Sequence, residues 1–170
     1  MEAKELILRS LEQSQGYLAR ALDGLTQAEA AWSPGAECNS ITFTLWHTAR
    51  VEDFFVNRVI EHGSELYEAE GWREKLGTPA QGTGYGFTAE QLQDWKSPNL
   101  EDLRNYANAI REKTLTFLQS ATPEKLSEEV VRPNRPTDSV IGILGRISRE
   151  TALHARQITY LRGVQWGLDK

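Results

Sequence analysis

His47, Glu150 and His154 are the residues whose types and spacing bear most directly on chemistry. Glu150 and His154 stand four apart in "SRETALHARQITYLRG", so in a helix they share a face. That face also carries Ile143, Ile147, Ile158 and Leu161. His47, in "FTLWHTARVEDFFVNRVI", lies at helical spacing from Phe43, Val51 and Phe54, and so interrupts an apolar stripe in the same way. A carboxylate taken out of water alone is costly, so a group so placed must pair, change protonation or bind a metal. Two imidazoles and one carboxylate suit zinc, nickel or ferrous iron. Three protein ligands also leave positions open for water or substrate, the arrangement of a catalytic centre. The structural alternative is a Glu150–His154 pair on a partly exposed helix face, with His47 an ordinary packed histidine.

Other candidates carry less. His62 follows His47 by about four helical turns, roughly 22 Å along the axis, which separates it from the same centre. A cation at a helix C-terminus explains it sufficiently. Arg50 and Asp53 flank His47 and are expected at the rim or surface. Cys38 is the sole cysteine, which excludes an internal disulfide or a CxxC pair. It is expected as a small, partly buried residue at a turn. "GTGYG" follows no strand and precedes no GK[ST], so it is no phosphate loop, and no serine sits in a nucleophile elbow. Trp46 and Trp72 read as core and lid packing.

Four long periodic segments must position these residues. The first runs over about 3–23, with Ile7, Leu11, Leu18 and Leu22 in its stripe and Gly16 interrupting it. Thr26 and Glu29 form a capping box for a short helix ending before Pro34 and Gly35. The second starts at Asn39 or Ser40 and runs to about Glu61, with Gly63 as its stop and Phe43, Val51, Phe54, Phe55 and Val59 as its stripe. Residues 63–99 read as an extended loop with one short helix capped by Thr88, and loops of that length often cover a site. The third helix opens at Asn99 and Thr122–Pro123 starts one further turn. After the irregular "RPNRPTDS", the fourth runs from Asp138 or Ser139 to near Gly163. "EEVVRP" is too short for a strand of consequence. The expected fold is all-α: a four-helix bundle with short extra helices in the connections, one domain over residues 1–170.

The 170 residues carry a net charge of −5 and no Lys/Arg run, which argues against nucleic acid or an anionic membrane as partner. No apolar stretch approaches the ~18 residues of a membrane span. The N-terminal "MEAKELILRSLEQSQ" is charged where a signal peptide is apolar, so a cytoplasmic location is expected.

"ITFTLWHTARVEDFF" resembles the second-helix signature of the DinB-like, YfiT-related four-helix-bundle superfamily. "ETALHARQITYLRG" is similar to its fourth-helix signature, with Gln157, Ile158, Leu161 and Arg162 in place, and "LTQAEAAWSPG" to the segment joining its first two helices. The resemblance implies a bundle of the DinB/YfiT type and a divalent metal, zinc or nickel first, iron or manganese next. His47, Glu150 and His154 would be its ligands. It also implies a small-molecule substrate and either a hydrolase or a transferase using a low-molecular-weight thiol. Pairing into a homodimer through helix faces is a further expectation. Two positions depart from the pattern. Glu150 stands where histidine is usual, giving a more negative site that favours harder ions. Arg156 replaces a glycine. In a non-catalytic bundle, the same three residues would instead form a buried polar network.

Overall fold

The computed structural model describes residues 3–79, 82–131 and 136–167. Helix α1 (Ala3–Leu22) runs unbroken through Gly16 and buries Leu11, Ser14, Leu18, Ala21 and Leu22 along one face. Thr26 and Glu29 cap α2 (Gln27–Ala31) with the expected box. Ser40 starts α3 (Ile41–Asp53), its hydroxyl accepting from the Phe43 amide. The same helix then continues as a π-helix over Phe54–Ile60.

Three short helices follow: α4 (Leu66–Ala69), α5 (Trp72–Leu76) and α6 (Ala89–Gln93), the last capped by Thr88. Then come α7 (Leu100–Ser120), capped by Asn99, and α8 (Pro123–Ser127), capped by Thr122. Strands β1 (Glu129–Val130) and β2 (Asp138–Ser139) pair antiparallel, and Ser139 caps α9 (Val140–Trp166).

The long helices α1, α3, α7 and α9 form a four-helix bundle. Helix α1 lies mainly along α9, and α3 packs on both α7 and α9, so consecutive long helices α1 and α3 sit across the bundle from one another. The apolar core falls into two clusters. One contains Leu18, Leu45, Trp46, Tyr106, Ile110 and Ile158; the other contains Leu11, Val56, Ile60, Leu118, Ile143 and Leu144. Each fully buried leucine or isoleucine contributes about 1.5–3 kcal/mol by leaving water.

Buried polar residues accompany these clusters. Arg111 donates to Glu52 Oε2 at 2.7 Å, to Thr151 Oγ1 at 3.3 Å and to the Leu11 carbonyl at 3.2 Å, joining all four long helices. Asp53 accepts from the Leu66 and Tyr67 amides, both at 2.9 Å, and from Asn57 and Tyr106, both at 2.8 Å. It thereby fastens α4 to α3. Burial, reinforced by the Asp53 charge, pushes the Tyr106 hydroxyl far above its ordinary value, which keeps it a donor.

Several sequence expectations change. Arg50 and Asp53 are not at the rim: they are 3% and 0% exposed. The left-handed residue ending the second long helix is His62 (φ 55°), not Gly63, whose amide returns to the Asn57 carbonyl. The 63–99 connection contains α4 and α5 besides the expected short helix. "EEVVRP" does supply a two-residue strand, and Cys38 is exposed rather than partly buried. Residues 132–135 of "RPNRPTDS" lie outside the described residues.

Candidate functional site

The stripe on the second long helix explains the largest departure. Phe43 is buried, but Val51, Phe54, Phe55 and Val59 are only half buried. The positions that fill the core are instead Ile41, Leu45, Trp46, Ala49, Val56 and Ile60. The half-buried residues, together with His47, line a cavity of about 990 Å³ between α3 with its π-helical extension, α9, and the connecting loops. Helix α3 is therefore apolar on two faces, one for the core and one for the cavity. Periodicity registers both and cannot say which is covered.

His47 and His154 meet at the wall of this cavity, their ring centroids 5.0 Å apart and their planes at 87°. Each ring has one nitrogen already engaged. His47 Nδ1 donates to the Thr83 carbonyl at 2.6 Å. Because a carbonyl only accepts, Nδ1 carries the proton and the neutral ring keeps its lone pair on Nε2. His154 Nδ1 lies 2.8 Å from the Gln157 side-chain oxygen, which fixes the same tautomer. Burial lowers the His47 pKa from its ordinary value, and the neighbouring His154 adds to that. The Thr83 hydrogen bond and the Glu150 charge oppose it. His47 is thus a neutral imidazole with Nε2 free, as metal ligation requires.

The loop supplying Thr83 is tied down on both sides. Arg50 donates to the Gly82 carbonyl at 3.3 Å. Gly84, at φ +83°, lies so close to the aromatic wall that a Cβ would come within 2.8 Å of Trp46 and 2.9 Å of Phe43. The Phe43 ring stacks on His47 at an interplanar angle of 6°, and Phe87 and Trp95 pack against Phe43. The central glycine of "GTGYG", Gly84, therefore serves close approach to Phe43 and Trp46. The 3.6-residue pattern gives no warning of this, although three glycines in five residues is the signal that marks the loop.

Glu150 lines the same cavity, but its carboxylate takes a hydrogen bond from Arg149 at 2.9 Å and is partly exposed. Among the described residues no group of three His, Cys, Asp or Glu is arranged to hold a metal ion. The structure thus brings His47 and His154 together and leaves Glu150 beside them, turned to Arg149. No hydrogen bond among the described residues joins these three into a network. His62 lines the cavity too, at the end of the π-helix, apart from the imidazole pair. Glu52, which sequence reading passed over, also lines it, fixed by Arg111. No helix among the described residues is long and apolar enough to cross a membrane.

Residues 10–158 match the family model of the DinB superfamily. A conserved protein from Enterococcus faecalis of known structure has the same fold, with a TM-score of 0.85, 24% identity and 99% of both chains covered. YfiT from Bacillus subtilis, described as a probable metal-dependent hydrolase with an unusual four-helix bundle topology, matches with a TM-score of 0.63 and 16% identity. That match covers 96% of this chain and 88% of YfiT. No curated protein matches the chain.

Proposed function

The chain belongs to the DinB superfamily, and we propose that it is a divalent-metal-dependent enzyme, a hydrolase in the first reading. His47 and His154 would hold the ion through Nε2, with Glu150 as third ligand. One observation carries this: two imidazoles meet at a cavity wall, each engaged through Nδ1, and neither Nε2 has a hydrogen-bond partner among the described residues. Glu150 fits as the third donor because what holds it elsewhere is weak. A partly exposed pair such as Arg149–Glu150 contributes about 0–1 kcal/mol, far less than a ligand bond to a divalent ion. Zinc or nickel suits the two imidazoles, and the carboxylate extends the range to iron and manganese.

When bound, such an ion supplies Lewis acidity, which makes water or a thiol acidic enough to act as a nucleophile near neutral pH. The chain's own groups do the rest. Thr83 and Gln157 keep the imidazoles in one tautomer and orientation. The Phe43, Phe87 and Trp95 cluster shields one side from solvent, and the 82–87 loop closes over His47. Transfer to a low-molecular-weight thiol would use the same site, and is recognised by product that forms only when thiol is added.

The test is a cobalt(II) titration of metal-stripped protein. Visible d–d bands saturating at one equivalent are expected, absent in His154→Ala and weakened at least about tenfold in affinity in Glu150→Ala. Titration without bands, or identical curves in all three proteins, would refute the ligand set.

A further inference from the structure

The cavity is much larger than a site for an ion and a small polar molecule requires. Its 990 Å³ lies at the upper end of the roughly 300–1,000 Å³ range of small-molecule pockets. An apolar row runs along one wall, with Thr48 and Arg58 of the same helix, and His62 at its end, beside it. Val51 lies one helical turn beyond His47, Phe54 and Phe55 two, and Val59 three, so that wall extends from roughly 6 Å to somewhat under 18 Å from the imidazole pair. The switch to π-helix at Phe54 matters here. It lets the adjacent Phe54 and Phe55 both line the cavity, their rings 5.4 Å apart at 74°. Ile147 and Val131 contribute from other elements, and Val131 is 77% exposed. Among the charges beside this wall, Arg146 pairs with Asp138 and Glu128 with Lys125 at 2.8 Å, while Arg58 and Glu129 line the cavity as well.

We propose that the substrate is an elongated acyl compound. Its carbonyl-bearing head meets the His47–His154 pair, and its apolar chain lies along Val51, Phe54, Phe55 and Val59. The head-group half of this inference rests on the metal reading above; the chain half does not. Side chains left half in water on a helix face gain by ligand burial, and each methylene laid on them gives up to about fourfold in affinity. A compact polar substrate would leave the exposed part of this wall wet.

The experiment is calorimetric titration of butanoate, hexanoate, octanoate and decanoate, as product-like probes, into metal-stripped and zinc-loaded protein. Affinity is expected to rise two- to fourfold per methylene in both forms, with zinc adding a constant factor at every length. Phe54→Asp, about 10 Å along the axis from His47 and within reach of the longer chains, is expected to remove the gain from hexanoate to decanoate while leaving butanoate unchanged. Val51→Asp is expected to weaken all four. Both side chains are half buried and line the cavity, and circular dichroism melting checks that the variants fold. A slope with chain length but no zinc increment upholds the apolar groove and refutes the metal reading. Affinity independent of chain length in both forms, or a slope unchanged in Phe54→Asp, overturns the proposal even where zinc binds.

Discussion

Helices α3 and α9 contribute to two polar groupings that are neighbours in sequence and opposite in character. Thr151 and Glu52, with Arg111, belong to a buried set whose charges are matched inside the bundle; Asp53 is met by five donors, Arg50 among them. Glu150 and His47, one and five residues away from them, belong to a half-buried set. There each imidazole is held by one nitrogen, and the carboxylate by one solvent-facing arginine. The first set pairs its charges across the helices, although Glu52 Oε1 and Arg111 Nε keep no hydrogen-bond partner. The second keeps lone pairs in reserve beside a cavity. Burial of charge alone thus distinguishes structure from function less well than what holds each group, an opposite charge across the helices in one set and a single hydrogen bond in the other.

The sharpest way to break this contrast is to attack the charge-matched set. Arg111→Met strands Glu52 without its partner, at an expected cost of about 3–5 kcal/mol in urea unfolding. Adding Glu52→Leu to it is expected to restore part of that loss, because an apolar pair does not need to be satisfied. A single-variant cost below about 1 kcal/mol would mean that the buried pair is not structural. Asp53→Asn comes next. It places an amide where the Leu66 and Tyr67 amides donate, and is expected to cost about 1–3 kcal/mol and to loosen α4, seen as faster amide exchange at residues 66–69.

Gly84→Ala probes the hinge between the two sets. The added methyl collides with Trp46 and Phe43, so the loop lifts and Thr83 releases His47. A stability loss of about 1 kcal/mol or more is expected, with metal affinity down roughly tenfold. Unchanged affinity would show that Thr83 does not orient the ring.

The smallest effect expected is in pH. Unfolded, His47 titrates near its ordinary value of about 6.5; folded, burial holds it lower. Between the two values the unfolded chain binds more protons. Metal-free protein should therefore lose stability as the pH falls below about 6.5, down to the folded value, and lose no more from this group beyond it. In His47→Gln the pH profile should be flatter over that window; an identical profile would mean that His47 is not desolvated.

The bundle was legible in the sequence because caps and stops are local. Thr26, Ser40, Thr88, Asn99, Thr122 and Ser139 all cap the helices that their side-chain chemistry predicts. His47 and His154 were legible as polar interruptions of apolar stripes, and they do meet. What stayed hidden is what partners decide. Arg50 and Asp53 read as surface charges because nothing in their own helix shows that Tyr106, Glu65 and the α4 amides lie around them. The stripe from Val51 to Val59 read as core because periodicity reports a face but not what covers it. The π-helical register after Asp53 depends on the whole packing and has no sequence cap.

The most direct test of the central claim, that the half-satisfied set holds an ion, is metal content by inductively coupled plasma mass spectrometry. The protein would be purified without a histidine tag and compared with His47→Ala and Glu150→Ala, each confirmed to melt within a few degrees of the wild type when metal-free. Near-stoichiometric zinc, nickel, iron or manganese in the wild type, falling sharply in both variants, is the predicted result. Equal metal in all three, or none in the wild type even after loading, would contradict it.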